Sequence, residues 1–511
     1  MTARRVRRAG DSQSSGRSLP GLLASQRTLG LPDDPELVVG LVAGVGVPLE
    51  QVQATISHQL RLLGYRTNLL HLSAMTSRFE LPTAPPRRGA GEARRVQAMM
   101  NRGNEARIAT GRNDILALLA IGEIAFARGA GATALTRRAF LLRQLKQPEE
   151  VFLLRRTYGA GFHVLSVYCP RSVREENLRK RGMTKREIAD LIGRDEHEPS
   201  DPGQHLRDTF HLADVFVDAA DRGKLSEQVR RFFELLFGVG IKGPTLDEFG
   251  MFHAQASALR SAQLGRQVGA AILAPRGEVI SVGSNEVPCY GGGLYWDGDS
   301  GDARDHVRGR DSSDAMREEI VREITARLSA GWERLTENKR RRLVERNLPK
   351  LRSTTVAALT EFGRAVHAEA EAILSAARMG VSTRGARLYC TTFPCHVCAK
   401  HIVAAGIEEV VYIEPYPKSR ASHLFDDSIS LEVRRKGRVL FRPFVGIAPS
   451  RFADLFSMRT PEGEPIARKD ERGFVSSKQV MRLRMPHLSA VDRERSAARE
   501  LERIRPKGGL T

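Results

Sequence analysis

The chain of 511 residues predicts an α/β fold with two successive sheets. Three observations carry that expectation. Strand-like and helix-like segments alternate from about residue 35 to 245, the pattern of a parallel sheet covered by helices. A second series of strands and helices opens near Met251. The length also suffices for two domains that each bury a core of their own.

The elements follow in order. Residues 1–34 are rich in Arg, Ser and Gly and are expected to form a disordered basic tail. The apolar run Leu37–Val42 reads as a buried strand; it meets the glycine turn Ala43-Gly44-Val45-Gly46 and then a helix from Pro48 to Leu63. Strands are expected at Arg66–Leu72 and Phe162–Tyr168, with long helical stretches between them. These complete a first domain, residues 35–245. In a second, residues 250–450, Ser257–Gln267 reads as helix and Val268–Leu273 as strand, with Glu278–Gly283 as its hairpin partner across Pro275-Arg276-Gly277. Residues 289–360 read as an insertion, opening with Gly291-Gly292-Gly293 and holding the charged run Glu337–Arg346. Ala365–Arg378 is rich in helix formers and Gly380 stops it. Ala386–Thr392 reads as a strand, and a helix starts at Pro394 and runs to Ala405. After about residue 450 periodicity fades, and residues 458–511 read as a basic tail.

Two short segments carry chemistry. His367-Ala368-Glu369 and Pro394-Cys395-His396-Val397-Cys398 supply three metal ligands, His367, Cys395 and Cys398, and one further carboxylate. Three ligands instead of four leave a position for water, which marks a catalytic Zn²⁺ site. His367 and Glu369 fall at one end of a helix. Cys395 and Cys398, three apart near a helix N-terminus, face one way and favour the thiolate. Two thiolates and a neutral imidazole cancel the charge of Zn²⁺, so water activation by the metal is incomplete and Glu369 is needed as base. The pattern His-x-Glu with Pro-Cys-x-x-Cys is similar to the signature of zinc nucleobase deaminases. The competing reading is a structural zinc knot that borrows His396, His401 or Cys390, which leaves Glu369 without a task.

Composition sets outer limits. No stretch approaches a membrane span, and the basic N-terminus lacks the apolar segment of a secretory signal. Five cysteines, two of them in the metal motif, fit a reducing cytoplasm; Cys169, Cys289 and Cys390 are expected to be ordinary buried thiols. A formal charge of +20 permits a polyanionic partner, and arginine-heavy usage in a GC-rich genome accounts for it equally well.

The first strand–glycine–helix unit resembles a P-loop. An intact motif needs a lysine for the phosphates and a hydroxyl for Mg²⁺, but Val47 and Pro48 follow Gly46 here. Phosphoryl transfer is therefore not expected. Backbone N–H groups at Gly44 and Gly46 could still cradle a phosphate, or the turn is a structural relic. Val164–Pro170 with Arg171, Arg179-Lys180-Arg181, Arg194-Asp195-Glu196 and Asp208-Thr209-Phe210 are similar to a nucleoside monophosphate kinase domain.

The C-terminal half resembles the deoxycytidylate deaminases of the cytidine deaminase superfamily. Beside the zinc motif, Arg266–Ile272 precedes Gly283-Ser284-Asn285-Glu286-Val287-Pro288 as in that family. The combination with Thr391–His396 and Ile413–Ser419 is similar to the bacterial anti-phage dCTP/dCMP deaminases, over roughly residues 35–457. The resemblance implies a P-loop kinase-like parallel α/β domain followed by a three-layer α/β/α deaminase domain. It implies Zn²⁺, free deoxycytidine nucleotides as substrates, pool depletion in anti-phage defence, and a small noncoding RNA as inhibitory partner. Deaminases of this fold commonly assemble, so a homo-oligomer is expected. Asn285 is implied as a hydrogen-bond partner of the nucleotide sugar, and Tyr416 and Lys418 are candidates for base or phosphate contacts. The expected reaction is attack of water on C4 of cytosine, with Glu369 passing protons to N3 and to the departing amino group. Three rivals stand beside it: a base editor of RNA or single-stranded DNA, a nucleotide kinase, and a non-catalytic nucleotide sensor.

Overall fold

The computed structural model describes residues 35–503, except 88, 129–136, 197, 199–201, 353–362, 417–418, 477–479 and 484–486. The expected tail 1–34 and Lys418 thus lie outside the described residues. Among the described residues the strands form two six-stranded sheets.

The first sheet holds β1 (Leu37–Ala43), β2 (Arg66–His71), β3 (Arg138–Arg143), β4 (Phe162–Tyr168) and β5 (Val215–Asp218), mutually parallel in the order β5-β4-β1-β3-β2. All seven residues of β1 are buried. A central parallel strand has helices on both faces, so it reads as an unbroken apolar run and not as an alternation. β3 has no strand signal in the sequence: only four apolar residues stand between two arginines, too few for a period to show.

The second sheet holds β6 (Gly269–Leu273), β7 (Val279–Ser284), β8 (Arg387–Thr392), β9 (Glu409–Glu414), β10 (Ile429–Leu431) and β11 (Val439–Pro443), in the order β10-β11-β9-β8-β6-β7. The hairpin β6–β7 and the pair β6–β8 are antiparallel, and the remaining pairs are parallel. Alternate residues of β6 enter different cores. Ala271 and Leu273 pack with Met251 and Ala254, while Ala270 and Ile272 pack with Ala368, Ala372, Ala399 and Ile402. That period of two places helix Leu246–Ala258 on one face and helices Ala368–Arg378 and His396–Ala404 on the other, giving three layers.

Three expectations change. The helix expected at Ser257–Gln267 lies at Leu246–Ala258, because Thr245 and Glu248 form a capping box that starts it earlier. It must then end, since Ala254 and Ala258 press on the backbone of Gly269 at the head of β6. Cys289 is half-buried and not buried. Finally, the region beyond 458 contains a helix, His487–Arg503, packed on helix Ile115–Arg128. Its inward face carries Ala490, Glu494 and Ala497, and the glutamate hides the apolar period.

The two sheets are not separate bodies. Val38, Phe140 and Phe216 belong to the same buried cluster as Met251, Tyr389, Val411 and Phe444. After β11 the chain returns to the first sheet, where β12 (Gly446–Ile447) pairs antiparallel with β5. Among the described residues no helix is long and apolar enough to cross a membrane.

Candidate metal centre and adjoining pocket

Helix Ala368–Arg378 begins with His367 as its N-cap residue, so His367 and Glu369 stand in the first turn. Two features hold this helix on β7. Ser281 Oγ donates to the carbonyl of Ala372 at 2.7 Å. A Cβ on Gly283 would lie 2.2 Å from the Ala368 carbonyl oxygen, so only glycine permits the approach. The second ligand segment follows β8. Cys395 is the N-cap of helix His396–Ala404, and its Sγ accepts the Cys398 N–H at 3.4 Å.

The ligand atoms converge. His367 Nδ1 lies 3.3 Å from Cys395 Sγ and 3.4 Å from Cys398 Sγ. Ligands of a tetrahedral Zn²⁺, at about 2.3 Å for sulfur and 2.0–2.1 Å for nitrogen, stand about 3.6 Å apart. The donor set therefore fits zinc. Among the described residues no fourth His, Cys, Asp or Glu joins the group. Cys390, His396 and His401, which a closed structural site would need, are not in it.

Electrostatics agree with a site built for a cation. In the metal-free arrangement the hydrogen bond to Cys395 pushes the His367 imidazole up to about 8, against its burial. The Cys398 hydrogen bond, with His367 beside it, draws the Cys395 thiol down, and the same bond pushes Cys398 up. The directions favour a thiolate at Cys395 beside a protonated His367, a charge distribution that a bound cation would replace. Glu369 is 4% exposed, and burial raises its carboxyl above the usual range although His367 opposes this. A carboxyl whose hold on a proton is strengthened in this way suits a group that must both take and give one.

Above these residues lies a cavity of about 190 Å³, lined by Arg266, Asn285, His367, Glu369, Phe393 and Tyr416 among others. Asn285 is at its edge with its amide already engaged: Oδ1 accepts the Val268 N–H at 2.6 Å and Nδ2 donates to the Arg266 carbonyl at 2.9 Å. One N–H and one lone pair remain for a ligand. Tyr416 lines the cavity, with the Arg266 guanidinium 5.2 Å from its ring centre. Arg266 heads the run Arg266–Ile272 and carries no signal of its own there. Its salt bridge to Glu414 at 3.1 Å, and the Thr392 bond to the same carboxylate at 3.1 Å, place it in the pocket. Spacing could not reveal it, because Arg266 and Glu414 are far apart in the chain.

Gly44 and Gly46 sit apart from this pocket, at the end of β1. Gly46 has a φ of +88°, a conformation that favours glycine. The Val45 amide between them donates to Asp195 Oδ2 at 2.7 Å, and Lys146 Nζ lies 2.6 Å from Asp195 Oδ1. The turn thus satisfies that donor from within the chain.

Residues 244–414 match the family model described as the cytidine and deoxycytidylate deaminase zinc-binding region. A probable deoxycytidylate deaminase of Drosophila melanogaster is 46% identical over 74 residues, which is 14% of this chain and 36% of that protein. The chain spans 28% to 36% of the length of the first curated relatives it matches. Among solved structures, the dCMP deaminase of cyanophage S-TIM5 in complex with dCMP and dUMP aligns with 39% of this chain and 98% of its own, at 18% identity and a TM-score of 0.23. A shikimate kinase from Bacteroides thetaiotaomicron aligns with 39% of this chain and 98% of its own, at 15% identity and a TM-score of 0.24.

Proposed function

We propose that this protein is a zinc-dependent hydrolase that converts deoxycytidine nucleotides, dCMP or dCTP, to the uracil nucleotide and ammonia. The observation that carries the reading is the convergence of His367 Nδ1, Cys395 Sγ and Cys398 Sγ beside a buried carboxyl, Glu369, in a pocket of about 190 Å³. The family match over residues 244–414 supports it.

Zinc, held by His367, Cys395 and Cys398, supplies Lewis-acid activation of water when bound. Glu369 moves the protons. Its raised affinity for a proton lets it take one from the attacking water and deliver it to N3 of the cytosine ring. It then takes the second proton and gives it to the C4 amino group, which leaves as ammonia while the C4 carbonyl forms. Water and cytosine are consumed, and uracil and ammonia are made. Burial excludes bulk water, so the proton passes between these groups alone. Asn285 and Arg266 border the nucleotide's sugar and phosphate end in this reading, with Tyr416 against the base or phosphate.

Depletion of the deoxycytidine nucleotide pool during phage infection, under control of a small RNA, is the setting this reading adopts from the sequence resemblance. The decisive assay is uracil-nucleotide formation from dCTP, dCMP and a cytosine-containing oligonucleotide by zinc-loaded protein. Turnover of a free nucleotide is expected. Turnover of the oligonucleotide alone would replace the proposal with base editing.

A further inference from the structure

A second cavity, of about 360 Å³, lies where loops of the two sheets meet. Its one side is formed by Gly44, Arg171, Arg174 and Arg207, its other by Phe393 and Tyr416. Those last two residues also line the pocket over Glu369, so the cavities share a wall. The larger volume falls within the range of small-molecule sites, whereas the smaller pocket is below it.

The cationic side is built into the fold. Arg174 is 9% exposed. Its Nε donates to the Val45 carbonyl at 2.8 Å and its Nη1 to Glu196 at 3.3 Å. Its Nη2 is buried and has no hydrogen-bond partner among the described residues. A buried guanidinium N–H without an acceptor is costly in a finished core, and Arg174 brings that uncompensated group to the cavity wall. A Cβ on Gly44 would lie 2.8 Å from this guanidinium, so the glycine is what lets the arginine lie against the turn. Arg207 turns its Nη2 to the same Glu196 at 3.0 Å. Arg171 is more open and pairs with Glu175 at 2.8 Å. Glu196 and Glu432 are the carboxylates among the lining residues, against three guanidinium groups.

We propose that this cavity receives the phosphate chain of a nucleotide, held by Arg174, Arg171 and Arg207, beside the glycine turn instead of in it. Arginine offers forked N–H donors that match phosphate oxygens. Within the turn the Val45 amide is already bonded to Asp195, which sets a carboxylate against that position. Two sources share this chemistry: the triphosphate of a substrate whose base lies over Glu369, reaching past Tyr416, or a second nucleotide bound across the two sheets. Only the first source rests on the deaminase reading.

The test is calorimetric and does not need turnover. Zinc-loaded full-length Glu369→Ala is titrated with dCTP and with dTTP, alone and combined with Arg207→Ala or Arg171→Ala. Arg174 is left in place because it also holds the turn, and unfolding temperature and zinc content control for folding. At least a tenfold loss of triphosphate affinity in the arginine variants is expected. Loss for dCTP alone assigns the cavity to the substrate's own tail; loss for dTTP assigns it to a second nucleotide. Binding of both triphosphates within twofold of the parent, or no triphosphate binding by the parent, overturns the proposal. If the zinc-loaded parent with Glu369 intact fails to deaminate any free nucleotide while triphosphate binding depends on Arg207, the deaminase reading falls and the phosphate site stands.

Discussion

The proton-carrying role proposed for Glu369 rests on its burial at the wall of the pocket. Held at 4% exposure, with burial raising its carboxyl, it serves in the proposed reaction as the proton carrier and not as a metal ligand. Glu369→Ala is therefore expected to keep its zinc and lose about 10²–10⁴-fold in kcat, the range for a positioned acid–base group. Metal analysis beside steady-state kinetics checks both halves, and a residual rate within tenfold of the parent would remove Glu369 from the role. The ligands make a second prediction. In the metal-free site His367 keeps its proton up to about pH 8, and Cys398 holds its own higher still. Zinc must displace both. Affinity should fall by about tenfold or more for each pH unit lowered from 7.5 to 6. Chelator competition across that range measures it, and a flat profile would contradict the ligand assignment.

At the scale of elements, the site depends on how closely one helix approaches one strand. Helix Ala368–Arg378 has His367 as its N-cap and Glu369 in its first turn, and Gly283 of β7 lets that turn lie down. Gly283→Ala would place a methyl 2.2 Å from the Ala368 carbonyl oxygen. The helix has to lift, at an overpacking cost of about 1–3 kcal/mol, and His367 moves away from the two cysteines with it. A lower unfolding temperature together with weaker zinc retention is expected. Unchanged zinc affinity in a destabilised variant would show that the ligands are positioned by other contacts. Gly283 heads the run Gly283–Pro288, and nothing in that run tells which carbonyl it faces. The helix itself was legible because alanine-rich sequence and a following glycine are local signals.

Across the whole molecule, two buried ionic joints tie the sheets and the chain ends together. Glu248, 1% exposed, accepts from Arg231 at 2.6 Å and from the Ile447 N–H of β12 at 3.0 Å, and it also closes the cap at Thr245. Glu248→Ala leaves these donors unpaired at the seam and should cost about 3 kcal/mol, the lower end for breaking a buried pair. Denaturant unfolding checks it, and a loss below 1 kcal/mol would make the seam purely apolar. The second joint is Arg128 between Glu36 and Glu494, which fastens helix His487–Arg503 to the start of β1. Burial pushes the Glu36 carboxyl up to about 6 from 4.5, although Arg128 pulls the other way. The folded state thus binds a proton more tightly than the unfolded one. This group's stabilising contribution is full below pH 4.5 and is lost as pH rises through about 6. Relative to Glu36→Gln, the parent should lose about 2 kcal/mol of stability between pH 4.5 and 7. A difference that does not vary with pH would place the proton elsewhere in the trio.

By itself the sequence determined the donor types of the candidate metal site, the spacing of Cys395 and Cys398, the helix that starts at His367, and the buried strands β1 and β4. Each of these is written in a short stretch where side-chain chemistry and backbone preference act locally. The tertiary structure alone decided what stands opposite them. It brought Arg266 to Glu414 and Asp195 to the Val45 amide, set Arg174 against Gly44, and merged the cores of the two sheets. It also drew residues 487–503 into a helix whose inward glutamate masks its apolar face. The physical reason is the range of the forces. Propensity and capping act over a few residues, whereas burial pairs whichever faces can exclude water together, at any separation along the chain.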